Sequence, residues 1–229
     1  MEVTDVPTSP ARALTLRGAI FDCDGILVDS EQPWLELMTG YLDRAGVVGG
    51  SPESFRGLSA AEAVSALRAL DSVGGLLPTV AEVDADYSRV LEGVASPMPG
   101  ARDLVRAMAG AIPIAVASNG RREDVHGLLE RTGMIEFFDA IVTIDDVEEG
   151  KPAPDIYLRA AARLGIAASA AAAFEDSPVG SRAADAAGCT VFGINSDATV
   201  PLVSSVRLSD LRALRFDASA RELHVTPQA

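Results

Sequence analysis

The chain has 229 residues, 48% of them hydrophobic, and a formal net charge of −14, enough apolar material for one large domain or a core with a smaller companion. No Lys/Arg cluster interrupts the acidity, which excludes a phosphate-backbone footprint and with it nucleic acid as a partner. No run approaches the roughly 18 apolar residues of a membrane span, and two cysteines, Cys23 and Cys189, form neither a disulfide framework nor a CxxC pair, so a cytoplasmic protein without a membrane partner is expected.

Residues 1–14 carry Pro7 and Pro10 and lack a basic segment followed by an apolar core; a disordered leader is expected rather than a secretory signal. Gly18 to Phe21 reads as a buried strand that ends in Asp22 and Asp24, with Gly25 at the turn. Glu31 to Ala45 places Trp34, Leu35, Leu37, Met38, Tyr41 and Leu42 on one broad helical face, and Asp29 and Ser30 are positioned to cap its start. Breaks at Gly46, Gly49, Gly50 and Pro52 precede a second helix, Ala60 to Leu70. Gly74, Gly75 and Pro78 precede a third, Val80 to Val94, closed by Ser96-Pro-Met-Pro-Gly100. The segment 28–97 is therefore expected to be purely helical.

Beyond Gly100 apolar runs alternate with helical patterns: helix 101–108, run 112–117, helix 121–131, run 140–144, helix 154–164, run 171–174, helix 178–187 and run 189–194. Such alternation predicts an α/β fold, a Rossmann-like doubly wound parallel sheet covered on both faces. The core would comprise 15–27 and 98–217, with 28–97 inserted after its first strand as a small α-helical cap domain gating the crevice. After Asp197 the signals weaken: an edge strand at Val203 to Val206, a short helix at Leu208 to Leu214, and a loose tail at 218–229.

Parallel strands bring their carboxyl ends to one edge of the sheet. That edge would gather Asp22 and Asp24, Ser118-Asn119-Gly120, Lys151, and Glu175-Asp176. Four carboxylates at such proximity repel one another unless neutralised. Oxygen-only ligands favour a hard divalent ion, and few carboxylates with room for water and phosphate suit Mg²⁺ better than Ca²⁺. Lys151 adds a second positive charge, and Ser118 with Asn119 offers a hydroxyl and N–H groups to an anion at a helix start. Together these describe a phosphoryl-group cradle. His126 and His224 are the only histidines, which leaves little material for Ser/His/Asp chemistry.

The motifs Phe21-Asp-Cys-Asp-Gly-Ile-Leu-Val-Asp-Ser30, Ala117-Ser-Asn119, Gly150-Lys-Pro-Ala-Pro-Asp155 and Phe174-Glu-Asp-Ser-Pro-Val-Gly180 together resemble the haloacid dehalogenase-like hydrolases, specifically the subgroup of β-phosphoglucomutase and small sugar-phosphate phosphatases. The resemblance spans about residues 17–195. It implies a two-step mechanism in which Asp22 attacks phosphorus and Asp24 serves as acid and base. It also implies Mg²⁺ held by the Asp22 carboxylate, the Asp24 carbonyl, Asp176 and Glu175, and phosphoryl oxygens bound by Ser118, Asn119 and Lys151. Phe55-Arg-Gly-Leu-Ser-Ala60 resembles the mutase cap segment, which makes Arg56 a candidate substrate contact. Ala60 stands where the mutases place an arginine for a distal phosphate, which favours a phosphatase acting on a small phosphorylated metabolite, such as a sugar phosphate, over a phosphotransferase. A non-catalytic phosphometabolite-binding protein is the third alternative, and monomer or dimer is left open.

Overall fold

The computed structural model describes residues 13–226 except 48, 57, 71–74, 76 and 95. In chain order, β1 (Ala13–Thr15) and β2 (Gly18–Phe21) precede three helices, α1 (Glu31–Arg44), α2 (Ala60–Leu70) and α3 (Val80–Leu91). There follow α4 (Ala101–Met108), β3 (Ile114–Ala117), α5 (Arg122–Arg131), β4 (Ala140–Val142), α6 (Asp155–Arg163), β5 (Ala171–Glu175), α7 (Pro178–Ala186), β6 (Thr190–Ile194), β7 (Val206–Leu208), β8 (Leu214–Asp217) and β9 (Glu222–Val225). No helix among the described residues is long and apolar enough to cross a membrane.

Six strands form a parallel sheet in the order β4-β3-β2-β5-β6-β7. The chain winds outward from β2 to one edge through β3 and β4, then returns to the other side of β2 and winds outward through β5, β6 and β7. The reversal of winding opens a crevice at the carboxyl ends of the central strands. Alternating side chains sort the two faces. Ala19, Phe21, Ile114, Val116, Ala172 and Phe174 join one buried cluster, together with residues of α4 and α5. Ile20, Ala115, Ala117, Ala171 and Ala173 face the other, against Ile156, Tyr157, Ala160 and Ala161 of α6 and Ala183 and Ala184 of α7. The many alanines on that second face let α6 and α7 lie close to the sheet.

Phe21, Phe174 and Phe192 stand in register on β2, β5 and β6 and stack at 4.5 and 5.2 Å between ring centroids. Each such pair contributes about 0.5–1.5 kcal/mol beyond its burial. Asp22 directly follows the first ring and Glu175 the second, so this ladder fixes the relative height of both acids.

Between β2 and α4 the chain is helical and buries a cluster of its own, built from Trp34, Met38, Tyr41, Phe55, Val64, Leu67 and Val83. Trp34 Nε1 donates to the Phe55 carbonyl at 2.8 Å and its ring meets Tyr87 edge-on at 5.0 Å. The segment leaves and rejoins the core at one place: Val28 pairs with Pro97, and the Met98 N–H donates to the Leu27 carbonyl at 2.9 Å. Arg131 of α5 donates to the Leu91 and Val94 carbonyls at 2.7 and 3.0 Å, where a helix end leaves acceptors unsatisfied.

Five expectations need correction. Residues 13 and 14 of the expected leader belong to β1, and the expected loose tail contains β9; the two strands pair antiparallel, Ala13 with His224 and Leu14 with Leu223, in a second sheet of order β1-β9-β8. The rest of the leader and the last three residues lie outside the described residues. The helix expected at Leu208 to Leu214 is a single 3₁₀ turn, Leu211–Ala213, running straight into β8. Leu211, Leu214 and Leu223 are buried against the α4 side of the core, so tertiary burial outweighs local helical spacing there. The edge strand begins at Val206 rather than ending there. Ser30 occupies the α1 N-cap position but its hydroxyl makes no capping bond, because it is engaged elsewhere.

Candidate active site

Asp22 follows β2 and Glu175 ends β5, and the period of two turns both toward the face that carries α6. There the two acids meet Lys151, delivered by the loop before α6. Lys151 Nζ lies 2.8 Å from Asp22 Oδ1 and 2.6 Å from Glu175 Oε1, and all three side chains are buried. Tyr157 of α6 donates its hydroxyl to the same Glu175 oxygen at 2.7 Å, and the Ser177 hydroxyl reaches Glu175 Oε2 at 3.2 Å. A fully buried carboxylate is tolerated only when paired and hydrogen-bonded in this way.

Burial disfavours charge on Asp22 and lifts its pKa to about 8; Lys151 opposes the shift, while Glu175 and Asp24 add to it. Burial likewise raises Asp176 well above the usual carboxylate range, with Asp22 and Glu175 reinforcing. Burial works against charge on Lys151, yet Asp22 and Glu175 outweigh it and the net shift is upward, so the ammonium is held charged. The Cys23 thiol between the acids is buried and its pKa is driven up by burial first and by Asp24 and Asp22 next, which excludes a thiolate nucleophile.

One oxygen each of Asp22, Glu175 and Asp176 lie within 4.8 Å of one another. The Asp176 carboxylate receives no hydrogen bond among the described residues. Three converging acids with one ammonium between them are under-neutralised, and their all-oxygen donor set fits a hard divalent cation. The Asp24 side chain stands outside this trio. Its Oδ1 accepts from Ser30 at 2.6 Å and its Oδ2 from Ser118 at 3.3 Å, and both it and Asp22 line a cleft of about 640 Å³ between the sheet edge and the helical segment.

Among the other expected site residues, Ser118 is fully buried and also accepts from the Gly120 N–H at 2.9 Å. Asn119 lines the cleft, but its side chain clamps the Lys151 backbone, accepting from the N–H at 2.8 Å and donating to the carbonyl at 3.2 Å. Arg56 is absent from this cleft. It lines a neighbouring cavity of about 730 Å³, with its guanidinium on Glu53 at 2.8 Å and 3.7 Å from Glu31. Tyr157 and Ser30 carry no sequence signal for their contacts: one reads as the apolar stripe of a helix, the other as a cap.

The family model of haloacid dehalogenase-like hydrolases matches residues 16–188. Validoxylamine A 7'-phosphate phosphatase of Streptomyces hygroscopicus subsp. limoneus is 32% identical over 203 residues, covering 86% of this chain and 95% of that protein. Fructose-1-phosphate phosphatase YqaB of Escherichia coli is 33% identical over 180 residues, covering 75% and 92%. An HAD family hydrolase from Deinococcus radiodurans R1, solved with bound phosphate and sodium, is 25% identical with a TM-score of 0.70 and coverage of 86% and 93%. The chain belongs to the haloacid dehalogenase-like hydrolases.

Proposed function

We propose that the protein is a Mg²⁺-dependent phosphatase that hydrolyses a small phosphorylated metabolite, of the sugar-phosphate kind, through an aspartyl phosphate on Asp22. The observation that carries this reading is the Asp22–Lys151–Glu175 bridge, whose Asp22 and Lys151 line, with Asp24, one cleft while Glu175 is buried behind them. Two carboxylates thus stand in unlike surroundings, one against a cation and one against two hydroxyls, which is how a single site assigns two roles.

Asp22 attacks phosphorus as Asp24 protonates the leaving alcohol; Asp24 then takes the proton of the water that opens the acyl phosphate. Ser30 holds the Asp24 carboxyl in place through both steps. Lys151 keeps its charge near the transferring oxygens, and Asn119 fixes the backbone that aims it. Ser118 and the N–H groups beside it complete the cradle. Mg²⁺ would be held by Asp22, Glu175 and Asp176 with the Asp24 carbonyl, and would supply neutralising charge and a Lewis-acid contact to a phosphoryl oxygen. Residues 28–97 act as a cap over this site, and Arg56, engaged with Glu53, has no part in it in the present arrangement. The relatives' names, phosphatases of a fructose phosphate and a validoxylamine phosphate, support the substrate class.

The test is phosphate release from a panel of phosphorylated sugars, polyols, glycolate and nucleotides with Mg²⁺, together with rapid acid quench and peptide mass analysis of Asp22. Failure to release phosphate and to form the acyl phosphate overturns the reading. So does hexose-phosphate isomerisation with a bisphosphate activator and no net release.

A further inference from the structure

Beyond the phosphoryl cradle, the part of the cleft that would hold the leaving group has a definite charge. Its wall carries four carboxylates, Glu31, Glu62, Asp84 and Asp124, of which Glu31 is partly offset by Arg56, 3.7 Å away and outside the cleft, so that Glu62 and Asp84 carry the charge argument. Among the described residues it carries one cation, Arg121, and that guanidinium is already engaged: it lies 3.3 Å from Asp124 Oδ2 and also donates to Ser88 Oγ, which itself donates to Asp124 at 2.9 Å. Asp84 makes no hydrogen bond or ion pair among the described residues. Glu62 is held ionised by two bonds from Ser59, which pull its pKa down. Ala60 contributes no charge, and Trp34 and Tyr87, packed edge to face, add an aromatic wall.

A concave wall lined mainly by one sign of charge biases what enters it, even where, as for Glu62 and Asp84, the carboxylates are exposed to solvent. Carboxylates accept hydrogen bonds from hydroxyls and ammonium groups, and the aromatic wall suits the C–H face of a sugar or cyclitol. A second phosphate or a carboxylate on the substrate would need Arg121, and taking it would strip Asp124 of its partner, so discrimination comes from repulsion as well as attraction. We infer that this cleft selects monophosphates whose leaving group is neutral and polyhydroxylated or bears an ammonium, and rejects substrates with a second anionic group. The inference rests on the phosphatase reading above.

Two matched pairs test it as competitors of p-nitrophenyl phosphate hydrolysis in Mg²⁺: glucitol 6-phosphate against 6-phosphogluconate, and glucosamine 6-phosphate against glucose 6-phosphate. Glucitol 6-phosphate is expected to compete at least tenfold better than 6-phosphogluconate, and glucosamine 6-phosphate at least as well as glucose 6-phosphate. The double variant Glu62→Gln, Asp84→Asn should narrow the first gap at least threefold. Equal or stronger competition by 6-phosphogluconate, weaker competition by the amino sugar, no competition by any of the four, or an unchanged gap in the double variant overturns the inference while p-nitrophenyl phosphate is still hydrolysed. Loss of that hydrolysis itself removes the phosphatase reading, and this inference with it.

Discussion

Ser30 Oγ donates to Asp24 Oδ1 at 2.6 Å, so the residue at the N-cap position of α1 directly orients a carboxylate of the core. Ser30→Ala removes that donor without removing a helix cap. The melting temperature is expected to stay close to that of the parent, while kcat falls about tenfold with KM little changed, the scale of one hydrogen bond to a charged group. Steady-state kinetics with circular dichroism check it, and an unchanged kcat would deny Ser30 the orienting role.

Asp22→Asn is expected to abolish turnover and leave the fold intact, since the amide keeps the volume of the carboxyl but is no nucleophile. It also removes a carboxyl that burial has raised to about 8. The metal-free variant should therefore melt higher than the metal-free parent at pH 8. Residual activity near that of the parent would rule out attack by Asp22.

The metal-free chain should lose stability as pH rises from 5 to 8. An aspartyl carboxyl with an ordinary value of 3.8 titrates at about 8 when folded at Asp22, and Asp176 is shifted in the same direction. Between the two values the folded chain holds a proton that the unfolded chain lacks, so unfolding free energy falls with pH, by up to about 1.4 kcal/mol per unit and group. Below the lower value both states are protonated and the slope vanishes. Lys151, shifted upward, is charged in both states throughout this window. Added Mg²⁺ should raise the melting temperature most at pH 8, and thermal melts in EDTA that stay level from pH 5 to 8 would contradict the account.

Tyr157→Phe deletes the hydroxyl that donates to buried Glu175 and leaves the ring in place. One acceptor of a buried carboxylate loses its donor, at a cost of about 1–3 kcal/mol in stability. Because Lys151 shares that oxygen, kcat should fall more than KM changes. Denaturant melts and kinetics on the same preparation separate the two effects.

Gly25 has φ +71°, and a Cβ built there would run into the Asp176 carboxylate. Gly25→Ala is expected to strain the loop by about 1 kcal/mol. By displacing Asp176 it should also raise the Mg²⁺ concentration needed for half-maximal phosphate release at least tenfold. Titration of activity against Mg²⁺, with melts in EDTA as the reference for strain, reads both.

Most of the large sheet was legible because its inner strands are apolar runs, such as Ile114-Ala-Val-Ala117, flanked by helical spacing, and the acids that end them mark the candidate site; its edge strand β7, Val206-Arg-Leu208, carries a charge at its centre and was misplaced by three residues. Lys151 was recognisable by its joint placement with those acids, in a loop that only the topology brings to them. The small sheet was not legible: Ala13–Thr15 and Glu222–Val225 are short, mixed in polarity, and stabilised by each other from opposite ends of the chain, so neither carries a local signal. Tyr157 and Ser30 escaped for a related reason. Their polar atoms act on partners 18 and 6 residues away, while their local patterns are those of an ordinary amphipathic helix and its start.

The pairing of Val28 with Pro97, and of Leu27 with Met98, makes the long helical excursion a side branch with a single doorway. Its two ends are already held together by the core, so lengthening, trimming or exchanging what lies between them adds little closure entropy to the sheet and leaves the order of its strands untouched. Under the proposed function, the chemistry at Asp22 and the choice of molecule that reaches it would thus lie on separable pieces of chain, joined by Ser30, whose hydroxyl holds Asp24.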